Sequence, residues 1–495
     1  MALFLRKHTG TPFKHAQVLS RSFAVRGVEM PSTDFQPAEF KGMPYDEARA
    51  AHAKNLFPHV SERMLLYKRP VYLTQGHMQW LWDSEGKRYL DLFAGIATCG
   101  VGHCHPKITE SIQDQASKLV HCSNLYINAK QAEYAEKLLT KLPEKYNRVY
   151  FVNSGSEAND FAMTMMRVYT GSWDIIGLRN AYHGASPTTL GITNMGQYKF
   201  PTPQNFGCHT IPNPDVYKGI WGGKNCRDSP VQADRDCDCA EGVCEATDLY
   251  LGQLEDVLTN VTPPKVAGFF GEPIQGVGGS VQYPRDFLQK TYKKIHARGG
   301  LCVADEVQTG FGRTGSHYWG FQGAGLNPDI IVCAKTIANG LPMACVITTK
   351  EIADSMNVAL PFNTYSSNPV SCAAAITALD VIDEEGLQEN CQRVGTYCLE
   401  ELSKIRDDYE IVGDVRGKGL MIGIEMVADK KTRAPLQPER VGDIIERTKD
   451  YGVLFGKGGR FGQVLRIKPP MNVTKEDIDF GLAVLRQSIE EHLAQ

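Results

Sequence analysis

An α/β fold built around one large, mostly parallel sheet is predicted for this chain by three observations. Between about residues 106 and 350, the apolar runs RVYFV, DIIGL, VAGFFGEP, LCVADE, DIIVCA and MACVITT alternate with segments of helical spacing. That order layers helices on both faces of a sheet. Upstream, VYLTQGHMQWLWDSEGKRYLDLF (71–93) alternates apolar with polar residues and turns at Asp83-Ser84-Glu85-Gly86, which reads as a small antiparallel meander. Downstream of Pro369, SCAAAITALDVIDEEGL reads as a helix, and YEIVGDVRGKGLMIGIEM, a second helical stretch and VLRIKPP complete a smaller α/β part.

A chain of 495 residues is too long for one ordinary core. Its divisions are expected at 1–28, a targeting leader; 29–105, an arm with the meander; 106–370, the large sheet domain; and 371–495, a small domain that packs with the N-terminal part. Residues 206–247, rich in Gly, Pro, Asp and Cys, interrupt the large domain as an expected surface insertion. No internal repeat is found.

The leader carries Arg6, Lys7, Lys14, Arg21 and Arg26 and no acid until Glu29. This composition fits a mitochondrial presequence cleaved shortly after Arg21, with a disordered basic tail as the plainer alternative. A secretory signal would need an apolar core of roughly 7 to 15 residues, which is missing. In bulk the chain is 42% hydrophobic and 22% charged, with a formal net charge of -3. Such a balance suits a globular protein without general attraction to nucleic acid or anionic membrane. No apolar run approaches the roughly 20 residues that span a bilayer.

The 14 cysteines do not make a disulfide scaffold in a chain this long. Cys302, Cys333, Cys345 and Cys372 sit in apolar runs typical of buried thiols, whereas Cys208, Cys226, Cys237, Cys239 and Cys244 crowd into the insertion. Two readings of that group stay open, a structural zinc site and solvent-near free thiols, because the spacing holds CxC but no paired CxxC. No residue is assigned to a catalytic metal.

Chemistry concentrates at the ends of the apolar runs. Ser154, Gly155 and Ser156 follow RVYFV and precede a helix with apolar Ala158, Phe161, Ala162 and Met165. Free amides at that start could hold a phosphate, although capping by a serine explains the residues equally well. Tyr182 and His183 follow DIIGL, where an aromatic ring could stack on a planar ligand. Asp305 and Glu306 follow LCVA, and a buried carboxylate needs a partner: a protonated ring nitrogen, a salt bridge or a helix to cap. GFGRTG (310–315) matches the dinucleotide fingerprint, but SHYWGFQG after it is no amphipathic helix, so that reading is rejected. GKGGRFG (456–462) reads as a flexible connection between strands. Lys335 stands thirty positions after Asp305, following IIVCA. Desolvation there would lower its pKa and suit it to Schiff-base chemistry.

Taken together, NSGSEAN, AYHG, EPIQG, DEVQTGFGRTG, AKTIANG, FNTYSSNP and VRGKGLMIGIE resemble, in order, the motifs of class III aminotransferases, from about residue 55 to the end. The resemblance implies the fold-type I architecture of pyridoxal-phosphate-dependent transferases, with pyridoxal phosphate as cofactor. It implies Lys335 as the Schiff-base lysine and Asp305 on the pyridine nitrogen, with Gln308 near the phenolic oxygen. Gly155 and Ser156 would hold the phosphate, and Tyr182 would cover the ring. Thr364 would reach the phosphate of a neighbouring subunit in a homodimer or homotetramer. Glu272 and Arg466 match the family's substrate pair, Arg466 gripping a carboxylate and Glu272 neutralising it when another group enters. The implied reaction is ping-pong amino transfer from L-alanine to glyoxylate. Transfer from 3-aminoisobutyrate or another ω-amine to pyruvate, phosphate elimination from a phosphorylated amino alcohol, and a non-catalytic binding role are the alternatives. One departure stands out: Ser366-Ser367 replaces the Gly-Gly common in relatives, and serine tolerates positive φ poorly.

Overall fold

A computed structural model describes residues 24–204, 206–237, 239–240 and 243–495. The expected leader, up to residue 23 and with its cleavage point after Arg21, lies outside the described residues.

The six apolar runs, joined by residues 208–211, become seven strands: β1 (Arg148–Val152), β2 (Ile175–Leu178), β3 (Cys208–Ile211), β4 (Gly268–Gly271), β5 (Leu301–Asp305), β6 (Ile330–Cys333) and β7 (Ala344–Thr348). They form one sheet in the order β1-β7-β6-β5-β4-β2-β3. Pairings are parallel from β6 to β3, and β7 runs against both its neighbours, so six strands share one sense. The central runs are apolar at every position because both faces are covered: Ile330, Ile331, Val332 and Cys333 are fully buried. Each large aliphatic buried this way contributes about 1.5–3 kcal/mol. With six strands aligned, β1, β2, β4, β5 and β6 all discharge their following loops at one sheet edge, where ligands bind in open α/β sheets.

β3 overturns part of one expectation. Residues 208–211, assigned to the surface insertion, form the edge strand of the main sheet, with Cys208 opposite Ile175. CHTI is too short and too polar to announce a strand on its own; pairing with β2 on one side is sufficient for it. The remainder of the insertion is not simply superficial either. Cys226, Arg227, Val231 and Cys244 are buried. Arg227 makes a two-pronged ion pair with Asp414 at 2.8 and 2.9 Å.

The meander folds as Leu73–His77, Trp80–Asp83 and Arg88–Asp91, all antiparallel, with the turn closed by the Gly86 amide donating to the Asp83 carbonyl. A fourth strand, Val453–Leu454, joins it in parallel with Arg88–Asp91. The C-terminal sheet is antiparallel: Val412–Lys418, Met421–Asp429, Val464–Ile467 and Gly456–Gly458. The last of these corrects the reading of 456–462 as a connection only, since its first three residues pair with Val464–Ile467. Inside this sheet lies a charge network whose members, apart from the partly exposed Lys218, are fully buried. Arg416 binds Glu425 at 2.6 Å and Asp414 at 3.2 Å, and Lys218 reaches Glu425 at 3.1 Å. No helix among the described residues is long and apolar enough to cross a membrane.

Candidate active site

Each loop at the shared edge delivers one polar group, beginning with the helix Gly155–Thr170 after β1. Ser154 is its N-cap and its hydroxyl accepts from the Glu157 amide at 3.2 Å. The amides of Gly155 and Ser156 lie in the first turn, where no intrahelical acceptor exists. Ser156 Oγ accepts from the Ala185 amide at 3.3 Å, which draws the loop after β2 over the helix start. Gly184 allows this approach: with φ of 123°, a Cβ there would meet Ser156 Oγ at 2.5 Å. The cap therefore uses Ser154 and leaves the next two amides without an intrahelical acceptor.

β5 ends on Asp305, which is 3% exposed. Its Oδ2 binds His183 Nδ1 at 2.7 Å and accepts from Asn159 Nδ2 at 3.0 Å, while Oδ1 accepts from the Val307 amide at 3.0 Å. Its neighbour Glu306 faces elsewhere and takes the helix-cap alternative. It accepts from Thr309 Oγ1 at 2.7 Å and from the Gly320 and Phe321 amides at 2.9 and 2.6 Å. Burial still pushes Glu306 up to about 7. Between these contacts GFGRTG runs as turns and not as a helix opening, with Arg313 buried and donating to the Pro469 carbonyl at 2.8 Å.

Lys335 follows β6 with φ of 58°, a left-handed backbone costing roughly 1–2 kcal/mol for a residue with a side chain. Burial lowers its pKa, and Asp305 opposes the shift. Arg466 adds to the lowering, and Glu272 again opposes it. These charges mark the groups gathered around the amine. Glu272, after β4, is 3% exposed; Oε2 accepts from the Gly276 amide at 2.6 Å and Oε1 from the Tyr182 amide at 3.4 Å. Burial raises it to about 7. Arg466 donates to the carbonyls of Lys457 at 3.0 Å and Gly276 at 3.3 Å, and its guanidinium lies 4.8 Å from the centre of the Phe93 ring. Burial lowers it to about 10. Glu272 and Arg466 are thus neighbours that spend their hydrogen bonds on backbone and not on each other. Gln308 is buried, with Oε1 accepting from Lys468 Nζ at 2.7 Å. Tyr182 is half-buried with its ring edge-on to Tyr198 at 4.9 Å.

The sequence of residues 66–489 matches the family described as aminotransferase class-III. The chain belongs to the class III aminotransferases. Among its relatives, human mitochondrial alanine--glyoxylate aminotransferase 2 is 51% identical over 94% of this chain and 90% of its own length. Among solved structures, an amine transaminase from an uncultivated Pseudomonas species, in its pyridoxal-phosphate-bound form, has a TM-score of 0.78 at 28% identity, covering 92% of this chain and 100% of that one. A phospholyase from Arthrobacter in complex with phosphoethanolamine has a TM-score of 0.78 at 29% identity, covering 90% and 99%.

Pyridoxal phosphate is the cofactor of this class III aminotransferase, and its residues suit the molecule. An amine with a lowered pKa, a buried carboxylate at the next strand end and free helix-start amides answer its aldehyde, its ring nitrogen and its phosphate. Sequence reasoning missed three contributors. His183 and Asn159 both orient Asp305, and Lys468 orients Gln308. The AYHG motif held a signal for His183, but the pairing across sequence had none.

Thr364 is the outlier of the expected set, because it lies on the exposed surface. The segment 121–128 packs against its loop: Asn124 Nδ2 donates to Ser366 Oγ at 2.7 Å, and Ser367 Oγ bonds Asn124 Oδ1 at 3.0 Å. Ser367 takes a φ of 57° and Ser366 does not, so one serine of the pair carries the strain that glycine would avoid. The Asn124 bonds and that from Asn128 Nδ2 to the Ser367 carbonyl at 3.2 Å hold it there. Around Thr364 the apolar side chains Leu125, Tyr126, Ile127, Leu360, Phe362 and Tyr365 are exposed, Ile127 at 98%.

Proposed function

We propose that this aminotransferase moves the amino group of L-alanine to glyoxylate, yielding pyruvate and glycine, in two half-reactions of a ping-pong cycle. The observation that carries the chemistry is the Lys335 amine, lowered by burial, at the end of a strand beside that of Asp305. The donor and acceptor rest on the 51% identity with the human enzyme of that name.

Bound pyridoxal phosphate supplies an aldehyde that exchanges amines and a ring that accepts electron density. Lys335 would hold the aldehyde, and its freed amine would carry the substrate's α-proton on Nζ. Asp305, oriented by His183 and Asn159, would keep the ring nitrogen protonated. Gly155 and Ser156 would hold the phosphate through their amides, with Tyr182 against the ring and Gln308 toward the phenolic oxygen. Arg466 takes the substrate carboxylate in a bidentate grip, for which a guanidinium suits better than an ammonium. Glu272, raised to about 7 by burial, can ionise near neutral pH and would pair as the carboxylate with Arg466 when a substrate lacks that group.

A homodimer, or a tetramer built from it, covers the exposed apolar residues around Thr364 and brings that hydroxyl to the partner's phosphate. Such a patch on a globular chain marks a contact surface. The mitochondrial matrix is the compartment we assign, following the basic leader and the mitochondrial name of the human relative. Purified enzyme offered a panel of donors and acceptors tests the reading. Pyruvate should form fastest from L-alanine with glyoxylate. Faster turnover of 3-aminoisobutyrate with pyruvate would move the assignment to an ω-amine donor. Phosphate released from phosphoethanolamine without any keto acid would move it to elimination.

A further inference from the structure

Outside the residues of the amino-transfer site, the insertion gathers four cysteines. The sulfurs of Cys226, Cys237 and Cys239 lie within 4.8 Å of one another. Cys244 stands outside that mutual distance but close enough for its charge to act on Cys226 and Cys239. A tetrahedral zinc site with bonds of roughly 2.3 Å sets its sulfurs about 3.8 Å apart, so these three need only small adjustments to close on an ion and Cys244 a larger one to complete the set. We propose that Cys226, Cys237, Cys239 and Cys244 bind one structural zinc ion as four thiolates.

Three further observations fit a metal better than a chance meeting of thiols. Cys226 and Cys244 are buried, at 0% and 9% exposure, which removes the reading of the whole group as solvent-near thiols. Cys208, the fifth cysteine of the stretch, stands apart on β3 beside Arg167. The backbone also makes room, because Gly223 packs against Cys237 so closely that a Cβ would meet its sulfur at 2.7 Å. Binding four thiols to zinc releases their four protons and leaves a net charge of minus two. The Arg235 guanidinium, which feels the charge of Cys226, partly offsets it. The Cys237 thiol donates to the Lys224 carbonyl at 3.3 Å and would give up that proton to the solvent.

The zinc would tie the segment from Cys226 to Cys239 onto the start of the helix Glu245–Asn260, which Cys244 precedes as N-cap. Next to Cys226, Arg227 carries the tie on to Asp414 of the C-terminal sheet. The ion is therefore structural and leaves the Lys335 site untouched.

Elemental analysis of the full-length, cofactor-loaded enzyme should find about one zinc per chain. The double variant Cys237→Ser/Cys239→Ser should lose at least about nine-tenths of it while keeping the absorbance of the Lys335-bound cofactor. Growth with Co²⁺ in place of Zn²⁺ should give wild-type enzyme with intense thiolate-to-cobalt absorption, a readout that stands even if the double variant does not fold. Zinc-free wild-type enzyme with four titratable thiols, a Cys226–Cys244 disulfide in non-reducing peptide mapping, zinc retained by the double variant, or cobalt enzyme without thiolate bands would each overturn the proposal.

Discussion

Two regions of this chain bury charge, and they handle it in opposite ways. In the C-terminal sheet, Asp414, Arg416, Glu425 and Arg227 close a network in which acid meets base at 2.6 to 3.2 Å. Arg416 and Asp414 accordingly hold their charges more firmly than in water. At the edge of the large sheet, Lys335, Arg466 and Lys468 are all lowered by burial, and Glu272 is raised to about 7. The first arrangement completes itself within the fold. In the proposed reaction an anionic, carbonyl-bearing ligand would complete the second, and the difference separates charge that holds structure from charge available for chemistry.

Substitutions at the two regions should therefore divide cleanly between activity and stability. Lys335→Ala should lower turnover by at least about 10⁴-fold and remove the absorbance of the lysine-bound cofactor, yet leave the urea midpoint of the cofactor-free protein unchanged or raised. Asp414→Ala should do the reverse, costing about 3–5 kcal/mol in urea unfolding because Arg227 and Arg416 lose their shared partner. Equal losses of stability in the two variants would erase the distinction.

The acids differ in the same manner when pH is varied. Glu272 titrates near 7 in the fold against an ordinary 4.5, so its contribution to stability is complete below about pH 4.5 and is lost as pH rises through 7. In cofactor-free protein, Glu272→Gln should remove up to about 3 kcal/mol of that decline, read as the change in unfolding free energy between pH 4.5 and 8. Asp414, with its pKa lowered, contributes above its ordinary value of 3.8 and loses that contribution on acidification, so its removal should flatten the opposite, acid side of the profile.

Smaller effects sharpen the contrast. Arg466→Lys keeps the charge but not the fork, and should raise KM for the 2-oxo acid about 10- to 100-fold with stability little altered. Ser367→Gly relieves the positive φ but forfeits the bond to Asn124, so unfolding free energy should shift by less than about 1 kcal/mol in either direction.

Much of this contrast was legible in the sequence, though unevenly. Six of the seven strands of the large sheet stand out because double-sided burial makes them continuous apolar runs, and Lys335 and Asp305 are conspicuous as charges closing such runs. β3 was hidden because an edge strand with one partner needs little apolar character. His183 on Asp305 and Lys468 on Gln308 join residues more than a hundred positions apart, and no local spacing encodes which loops meet at a sheet edge. The buried ion network was equally silent, since VRGKG and IGIEM look like amphipathic strands until their charged residues are found facing one another. The cysteines were visible as a group, but the departure of Cys208 and the burial of Cys226 and Cys244 came only with the fold.

The strand Val453–Leu454, laid beside Arg88–Asp91, bears on how the chain reaches this state. Its pairing closes a loop of more than 350 residues, so the meander cannot be completed until nearly the whole polypeptide has emerged. Contacts this distant form late and slowly. A nascent chain would carry an unfinished sheet edge throughout, available to chaperones. Fragments ending before residue 453 should then accumulate as aggregation-prone species and not as a smaller, stable enzyme.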